Sequence, residues 1–371
     1  KNNKMNIDKF IPISRPSIGK KEIEYVNDAV TSGWVSSTGG KYIDIFEEKF
    51  AKYCNTKYAV ATSSGTTALH LTLVCLGITS DDEVIVPDFT FVATANAVKY
   101  TGAKVVTVDI DEDTLCISPE AITKAITSKT KAIIPVHVYG HPANMVEINK
   151  IAKKYNLFVV EDAAEAHGAK VEGKKVGGLS DAGTFSFFGN KIITSGEGGM
   201  ITTNNEELYK KMLYLRDHAM SVEKKYWHTE VGFNYRITNL QAALGVAQFE
   251  QIDKFLEKKK RIFEWYHEGL KDVKKIKLNH QSSWASTVYW VICLELENYN
   301  KSKRDALMQI LKTKNIDTRP YFYPLSDMPM YDDSDTPITH KVHQIGLNLP
   351  SYFDLTKVQV SLICNILKKI L

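Results

Sequence analysis

Seven short apolar runs alternate with helical patterns between residues 58 and 205, and this alternation restricts the possible folds more than any other feature. Runs of this length are typical of buried strands, and the helical patterns between them are typical of connections that cover the faces of a sheet. The chain therefore predicts an α/β fold. The runs are YAVAT, EVIVP, KVVTVDI, KAIIPVHV, LFVVED, GTFSFF and GMITT.

Helix signals support this pattern. Ser118 followed by Pro119 predicts a helix start, because serine caps the first turn and proline fits its first position. Apolar residues at helical spacing predict an earlier amphipathic helix, and they are Ile43, Phe46, Phe50 and Tyr53.

The pattern changes near residue 250. One long helical tract, NYRITNLQAALGVAQFEQIDKFLEKKKRIFEWYHEGL, leads to strands around TVYWVICLEL and then to more helix. A chain of 371 residues exceeds the size at which a single core usually stops growing. We therefore predict a large domain over residues 1–250, with its N-terminal segment near the small lobe, and a small C-terminal domain over residues 251–371.

Composition narrows the class of protein. The net charge is +4, and 47 basic residues are scattered among 43 acidic ones, which argues against nucleic acid and leaves an anionic small molecule open. No segment approaches the run of about 18 apolar residues that crosses a bilayer, so we expect no membrane partner. The sequence has no CxxC or HExxH pair, so we expect no metal.

Cysteine usage and the N-terminal stretch bear on the compartment. The cysteines are odd in number, widely spaced and mostly set in apolar runs, which predicts buried free thiols in a reducing compartment. KNNKMNIDKF lacks the apolar core of a signal peptide, so we expect a cytoplasmic protein. The five cysteines are Cys54, Cys75, Cys116, Cys293 and Cys364.

A candidate phosphate site lies in ATSSGTTALH. A strand ending at Thr62 is followed by small residues, including Ser64, Gly65 and Thr66, and then by a helix from Ala68. Free N–H groups and the positive end of the helix dipole suit a phosphate, although a capped helix after a tight turn explains the motif as well. GTFSFFGNKI does not match a P-loop, and GEGGM does not complete a dinucleotide fingerprint.

A candidate acid ends the strand in LFVVEDAAEAHGA. Glu161 and Asp162 fall at the carboxyl edge of the predicted sheet, where α/β folds bind ligands. Asp162 is a candidate partner for a ligand cation, and an N-cap carboxylate is an equally good interpretation. Glu165 is a weaker candidate, and His167 is most simply a structural residue.

Lys191 follows an apolar run in TFSFFGNKIITSGEGGM. Desolvation lowers the pKa of a lysine in such a setting, and lysines of this kind serve as amine nucleophiles, whereas most lysines extend to water. A phosphate cradle, an acid and a buried amine in this order are what pyridoxal phosphate (PLP) requires. Phe91 or Phe89 is a candidate to stack on its ring, with core packing as the alternative.

Motifs over nearly the whole chain resemble the DegT/DnrJ/EryC/StrS sugar-nucleotide aminotransferases, within the aspartate aminotransferase fold type I. The nearest subgroup comprises 4-aminotransferases that form perosamine-type sugars. The resemblance implies a large domain with a central mixed, mostly parallel seven-stranded sheet, plus a smaller C-terminal α+β domain. The motifs are SSGTTALHL, EVIVPDFTFVATANAVKYTGA, VHVYGHPANM, EDAAEAHGA, FSFFGNKIITSGEGGM, YWHTEVGFNYRITNLQAALG and DTRPYFYPLSDMPMY.

The resemblance also implies roles for individual residues. Lys191 would bond to the PLP aldehyde and later carry protons, and Asp162 would keep the ring nitrogen protonated. Ser64, Gly65, Thr66 and Ser186 would bind the phosphate, and Glu165 would lie near the ring hydroxyl. Asn234 would reach the phosphate of a second subunit, which implies a homodimer with shared active sites.

For the substrate, Arg319 is a candidate for the pyrophosphate or sugar, because a guanidinium matches phosphate oxygens. A surface arginine beside a proline turn is the alternative. The other candidates are Tyr321, Tyr323, Trp34, Ser36 and His228.

The expected reaction transfers an amino group from L-glutamate to C4 of a nucleotide-linked 4-keto-6-deoxyhexose, giving a perosamine-type or viosamine-type sugar. The carrier is left open among GDP, UDP and dTDP. The alternatives are a 3-dehydratase or a 3-aminotransferase of the same family. Related dehydratases have histidine where Lys191 stands, so the lysine favours transamination. A non-catalytic binding protein would be expected to lack Lys191 or Asp162, and both are present.

Overall fold

The computed structural model describes residues 9–371, so most of the N-terminal stretch considered above and the first residues of the predicted large domain lie outside the described part. The helices are α1 Lys20–Thr31, α2 Tyr42–Cys54, α3 Gly65–Cys75, α4 Ala93–Tyr100, α5 Pro119–Ala125, α6 Met145–Tyr155, α7 Glu206–Arg216, α8 Asn239–Phe249, α9 Ile252–Leu270, α10 Lys301–Thr313, α11 Pro337–Ile345 and α12 Lys357–Ile370. The strands are β1 Tyr58–Thr62, β2 Glu83–Pro87, β3 Lys104–Val108, β4 Thr130–Ile133, β5 Phe158–Asp162, β6 Lys170–Val171, β7 Lys174–Lys175, β8 Ala182–Ser186, β9 Gly199–Thr203, β10 Ile276–Leu278, β11 Ala285–Ser286, β12 Ile292–Leu296, β13 Arg319–Pro320 and β14 Gly346–Leu349.

The central sheet has seven strands in the order β1-β9-β8-β5-β4-β2-β3. Neighbouring strands from β8 to β3 pair in parallel, whereas β9 is antiparallel to both β1 and β8. Each of the seven predicted apolar runs overlaps one strand of this sheet. The α/β class and the mixed, mostly parallel sheet are therefore confirmed.

The early helix predictions are also confirmed. In α2 the side chains of Ile43, Phe46 and Phe50 are buried against the sheet. At the start of α5 the hydroxyl oxygen of Ser118 accepts the N–H of Ala121 at 3.3 Å, and Pro119 is the first helical residue.

The prediction of one long helical tract is wrong, because the tract forms two helices, α8 and α9, and the first of them begins only at Asn239. Gln251 has non-helical angles of φ −114° and ψ 8°. The reason is that the two halves pack on different partners: α8 packs against α1 and α2, and α9 packs against α12.

The C-terminal part of the chain forms a second core around an antiparallel sheet in the order β10-β12-β14-β13. Ile11 is fully buried in this core. Its N–H donates to the carbonyl of Asn315 at 2.8 Å, and its carbonyl accepts the N–H of Asp317 at 2.9 Å. The segment around Ile11 therefore packs with the C-terminal lobe, while the boundary near residue 250 stays a prediction.

Two aspartates at the carboxyl edge of the central sheet hold the C-terminal part over that edge. Asp88, fully buried, accepts the N–H of Ser326 at 2.7 Å and the hydroxyl of Thr336 at 2.6 Å. Asp109 accepts the N–H groups of Ile338 and Thr339, both at 2.9 Å, and so caps α11 from outside the helix. The C-terminal part of the chain is thereby attached to the edge of the central sheet where a ligand is expected.

All five cysteines are buried and free, as predicted. From residue 9 onward, no helix combines the length and the apolar character needed to cross a membrane.

Candidate active site

Lys191 lies in the loop between β8 and β9, and its side chain is 11% exposed. Its Nζ lies 4.2 Å from the ring centroid of Trp290 and 3.9 Å from Oε1 of Glu165. Burial lowers the pKa of Lys191, and the carboxylates of Glu165 and Asp162 oppose this in part. The amine is therefore closer to neutral at physiological pH than an exposed lysine.

The apolar flanks of Lys191 divide into two groups. Phe188 is 48% exposed, whereas the other flanking side chains are buried. The buried ones are Phe185, Phe187, Ile192 and Ile193.

Asp162 ends β5 and is 5% exposed. Its carboxylate accepts the hydroxyl of Thr94 at 2.8 Å and the N–H of Ala164 at 3.2 Å. Burial raises the pKa of Asp162, and these hydrogen bonds do not fully offset the loss of hydration. A cationic N–H donor at this carboxylate would relieve that cost.

The neighbouring acid, Glu161, has a structural role. Its carboxylate accepts the N–H groups of Gly177 and Leu179, at 2.8 and 2.9 Å, and lies 3.1 Å from Nε2 of His137. Of the two acids that end the strand, Asp162 is the one whose carboxylate interacts electrostatically with Lys191.

Glu165 lies beside the lysine on the turn after β5. Its Oε2 accepts the N–H of Tyr139 at 2.8 Å, and Tyr139 is held in the left-handed region at φ 53°. Burial raises the pKa of Glu165 to about 7. His167, on the same turn, packs against Phe185 and is kept neutral because burial lowers its pKa to about 3.

The predicted phosphate cradle lies where α3 begins. Ser64 is the N-cap, and its hydroxyl oxygen accepts the N–H of Thr67 at 3.1 Å, so the capped-helix alternative also holds. A Cβ added to Gly65 would lie 2.8 Å from the Cβ of Ser186, so Gly65 and Ser186 meet at close range. The N–H groups of Gly65 and Thr66 belong to the first turn, which has no helical acceptors for them.

The structure distinguishes the two candidate stacking residues. Phe91 is 57% exposed, whereas Phe89 is fully buried against Tyr139, Tyr321 and Phe322. Phe91 therefore remains the candidate.

The candidate substrate residues lie on other segments. Trp34, 56% exposed, and Ser36 are held by Asn239, which donates to the carbonyls of both residues at 2.6 and 2.8 Å. His228 is exposed, with Nδ1 bonded to the carbonyl of His218 at 2.8 Å. Asn234 is exposed too, and its side-chain oxygen accepts from Arg236 at 3.1 Å.

In the segment after β13, burial opposes one of the predicted roles. Tyr321 is fully buried, with its hydroxyl 3.4 Å from Oε1 of Glu295. A direct contact between Tyr321 and substrate does not fit this position, because the ring packs inside the core. Arg319, paired with Asp317, and Tyr323, 43% exposed, remain accessible.

Sequence reasoning missed three residues that shape the site: Thr94, Tyr139 and Trp290. Thr94 belongs to a motif used for the resemblance, and it lies in the first turn of α4. Nothing local singles out Trp290, which lies about 100 residues from Lys191 in the sequence.

These residues fit PLP. Asp162 offers a buried carboxylate to a ring nitrogen, Lys191 offers an amine to an aldehyde, and the glycine at position 65 leaves room for a phosphate beside Ser186. The fold and site thus define a PLP-dependent enzyme of the aspartate aminotransferase fold type.

Comparison with known proteins identifies the family. The model of the DegT/DnrJ/EryC1/StrS aminotransferase family matches residues 16–368, and the chain belongs to this family. It is 45% identical to the GDP-perosamine synthase of Escherichia coli O157:H7, covering 96% of this chain and 97% of that protein. It is 42% identical to the GDP-perosamine synthase of Vibrio cholerae, covering 97% and 98%.

Solved structures agree. A protein of Streptococcus pneumoniae assigned as a sugar aminotransferase has a TM-score of 0.92 at 27% identity in its PLP form, covering 97% of this chain and 98% of that one. The same protein in its pyridoxamine phosphate form also has a TM-score of 0.92. The protein is a PLP-dependent aminotransferase.

Proposed function

We propose that this enzyme transfers an amino group from L-glutamate to C4 of a GDP-linked 4-keto-6-deoxyhexose, giving a 4-amino-4,6-dideoxy sugar of the perosamine type. The main support for this type of reaction is the buried amine of Lys191 beside Asp162 and Glu165. The choice of sugar and carrier is supported by the two perosamine synthases to which nearly the whole chain is similar.

Lys191 is the proposed proton carrier. When bound here, PLP supplies an electron sink that stabilises negative charge on the carbon next to the transferred nitrogen. A base that removes a proton from that carbon must be neutral first, and the lowered pKa of Lys191 favours the neutral amine. The ring of Trp290 excludes water from one side of this amine.

Asp162 is proposed to hold a proton on the ring nitrogen. Its burial makes an unpaired carboxylate costly, so a cationic N–H at this position is favoured over a neutral ring. Thr94 fixes one carboxylate oxygen and leaves the aspartate oriented by a hydroxyl instead of by another charge.

The phosphate is proposed to lie between α3 and β8. The N–H groups of Gly65 and Thr66 and the dipole of α3 favour an anion there, with Ser64 and Ser186 at its edge. Phe91 would stack its ring on the ring of PLP.

For the sugar nucleotide we propose Arg319, Tyr323, Trp34, Ser36 and His228. Arg319 and the exposed rings of Trp34 and Tyr323 offer charge and stacking surface that a nucleoside diphosphate uses.

A homodimer with shared active sites is also proposed. The loop between α7 and α8, which carries Asn234, exposes a cluster in sequence of large apolar side chains, and a second copy of the chain would cover them. This cluster consists of Val222, Tyr226, Trp227 and Val231. We place the enzyme in the cytoplasm, where its five buried thiols stay reduced.

The test supplies purified, PLP-loaded protein with L-glutamate and 4-keto-6-deoxy sugars carried on GDP, UDP and dTDP in parallel. It measures release of 2-oxoglutarate and the mass of the sugar product. We expect amine on the GDP sugar, none with K191A, and normal turnover with K150A, which changes an exposed lysine. Sugar consumed without stoichiometric 2-oxoglutarate would instead indicate the dehydratase.

A further inference from the structure

Trp290 contacts both Lys191 and the residue that precedes it. The ring lies 4.2 Å from the lysine Nζ. The indole N–H donates to the carbonyl of Asn190, the residue just before the lysine, at 2.7 Å. One side chain therefore holds both the peptide that precedes Lys191 and the far end of its side chain.

Lys191 needs such support because of where it lies. It follows the end of β8 in a loop, so no sheet pairing fixes its backbone. The N–H of Lys191 donates to the carbonyl of Phe188 at 3.0 Å, which closes a tight turn. A lysine side chain has several rotatable bonds and is held in one orientation only when it has a surface to pack on.

Trp290 is itself fixed from the C-terminal lobe. Its carbonyl accepts from Nζ of Lys259, on α9, at 2.8 Å, and from the hydroxyl of Ser351 at 3.2 Å. Lys259 is only 2% exposed, and Trp290 is 7% exposed. A buried hydrogen-bonded frame therefore sets the position of the ring relative to the loop that carries Lys191.

We propose that Trp290 is a positioning residue for the catalytic lysine, its ring directing the ε-amine toward the cofactor and its N–H fixing the peptide that precedes Lys191. This inference rests on Lys191 being the lysine that bonds to PLP, as proposed above.

The first expectation concerns the full-length protein freed of PLP. The rate at which added pyridoxal phosphate bonds to Lys191 is followed by absorbance, and the modified lysine is located by borohydride reduction and peptide mass spectrometry. We expect W290L to slow this step tenfold or more, because leucine offers neither ring nor N–H. W290F, which keeps a ring face, should recover part of the rate.

The matched control is W265F, which changes a half-buried tryptophan of the C-terminal core. It should bond PLP at the wild-type rate. If W290L does not fold, W290F still carries the test, since it should remain at least threefold slower than W265F.

The opposite result is also defined. Wild-type rates in W290F and W290L, whatever their melting temperatures, would overturn the inference and leave Trp290 as core packing. Equal slowing by W290F and W265F would overturn it too. Failure of the proposed site has a different signature, since K191A would then still trap PLP on another lysine.

Discussion

Burial of Lys259 should make the free energy of unfolding depend on pH. Substitution of this one lysine should remove that part of the pH dependence. Burial lowers the pKa of this lysine from 10.5 to about 7. Its Nζ is held by the carbonyls of Trp290 and Ser351 inside the C-terminal core. Replacement by methionine keeps a chain of similar length and removes the titrating amine.

The direction and size of this pH dependence follow from the protons that the folded and unfolded chains bind. Between about pH 7 and pH 10.5 the unfolded chain holds a proton on Lys259 that the folded chain does not. The free energy of unfolding should therefore rise with pH by about 1.4 kcal/mol per unit from this group alone. Between pH 7.5 and pH 9.0 the wild type should gain about 2 kcal/mol relative to K259M.

The assay is equilibrium urea unfolding of the PLP-free protein at these two pH values. Tryptophan fluorescence and circular dichroism are followed together, because coincident transitions justify a single free energy. K260M, which changes the exposed neighbouring lysine, should keep the wild-type pH dependence. Equal pH dependence in K259M and wild type would refute the reasoning, because it would mean that Lys259 stays charged when buried.

Three further predictions concern the site and its supports. G65A should weaken PLP binding about tenfold in an equilibrium titration, because the added Cβ would lie 2.8 Å from Ser186; unchanged affinity would place the phosphate elsewhere. D109A should lower the free energy of unfolding by about 1–2 kcal/mol, since α11 loses its cap, whereas the exposed-site variant D333A should not. E165Q should lower the pKa of Lys191 further, because the Glu165 carboxylate raises it. In competitive acetylation of the PLP-free protein across pH, Lys191 of this variant should reach half of its full reactivity at a lower pH than in the wild type. An unchanged midpoint would contradict this prediction.

Most of the large sheet and the centre of the site were predictable from the sequence, because both depend on local signals. A parallel strand buried on two faces is an apolar run, and the acid that ends it must lie at the carboxyl edge. The direction of β9 was not predictable from its own residues, since strand direction depends on the connection. The sequence also did not predict which side chains are buried in the irregular segment after β13. Tyr321 and Tyr323 are two residues apart, yet only Tyr321 is buried. Outside a strand no alternation determines which side chain points inward.

The position of Ile11 has a consequence for how new enzymes could arise from this one by recombination. The C-terminal core includes Ile11, a residue that precedes every strand of the large sheet in the sequence. A single crossover near residue 250 would give a hybrid in which Ile11 from one parent must fit the contacts at Asn315 and Asp317 from another. Exchange of the C-terminal lobe between relatives should therefore succeed with two crossovers, which move the segment around Ile11 together with the lobe, more often than with one.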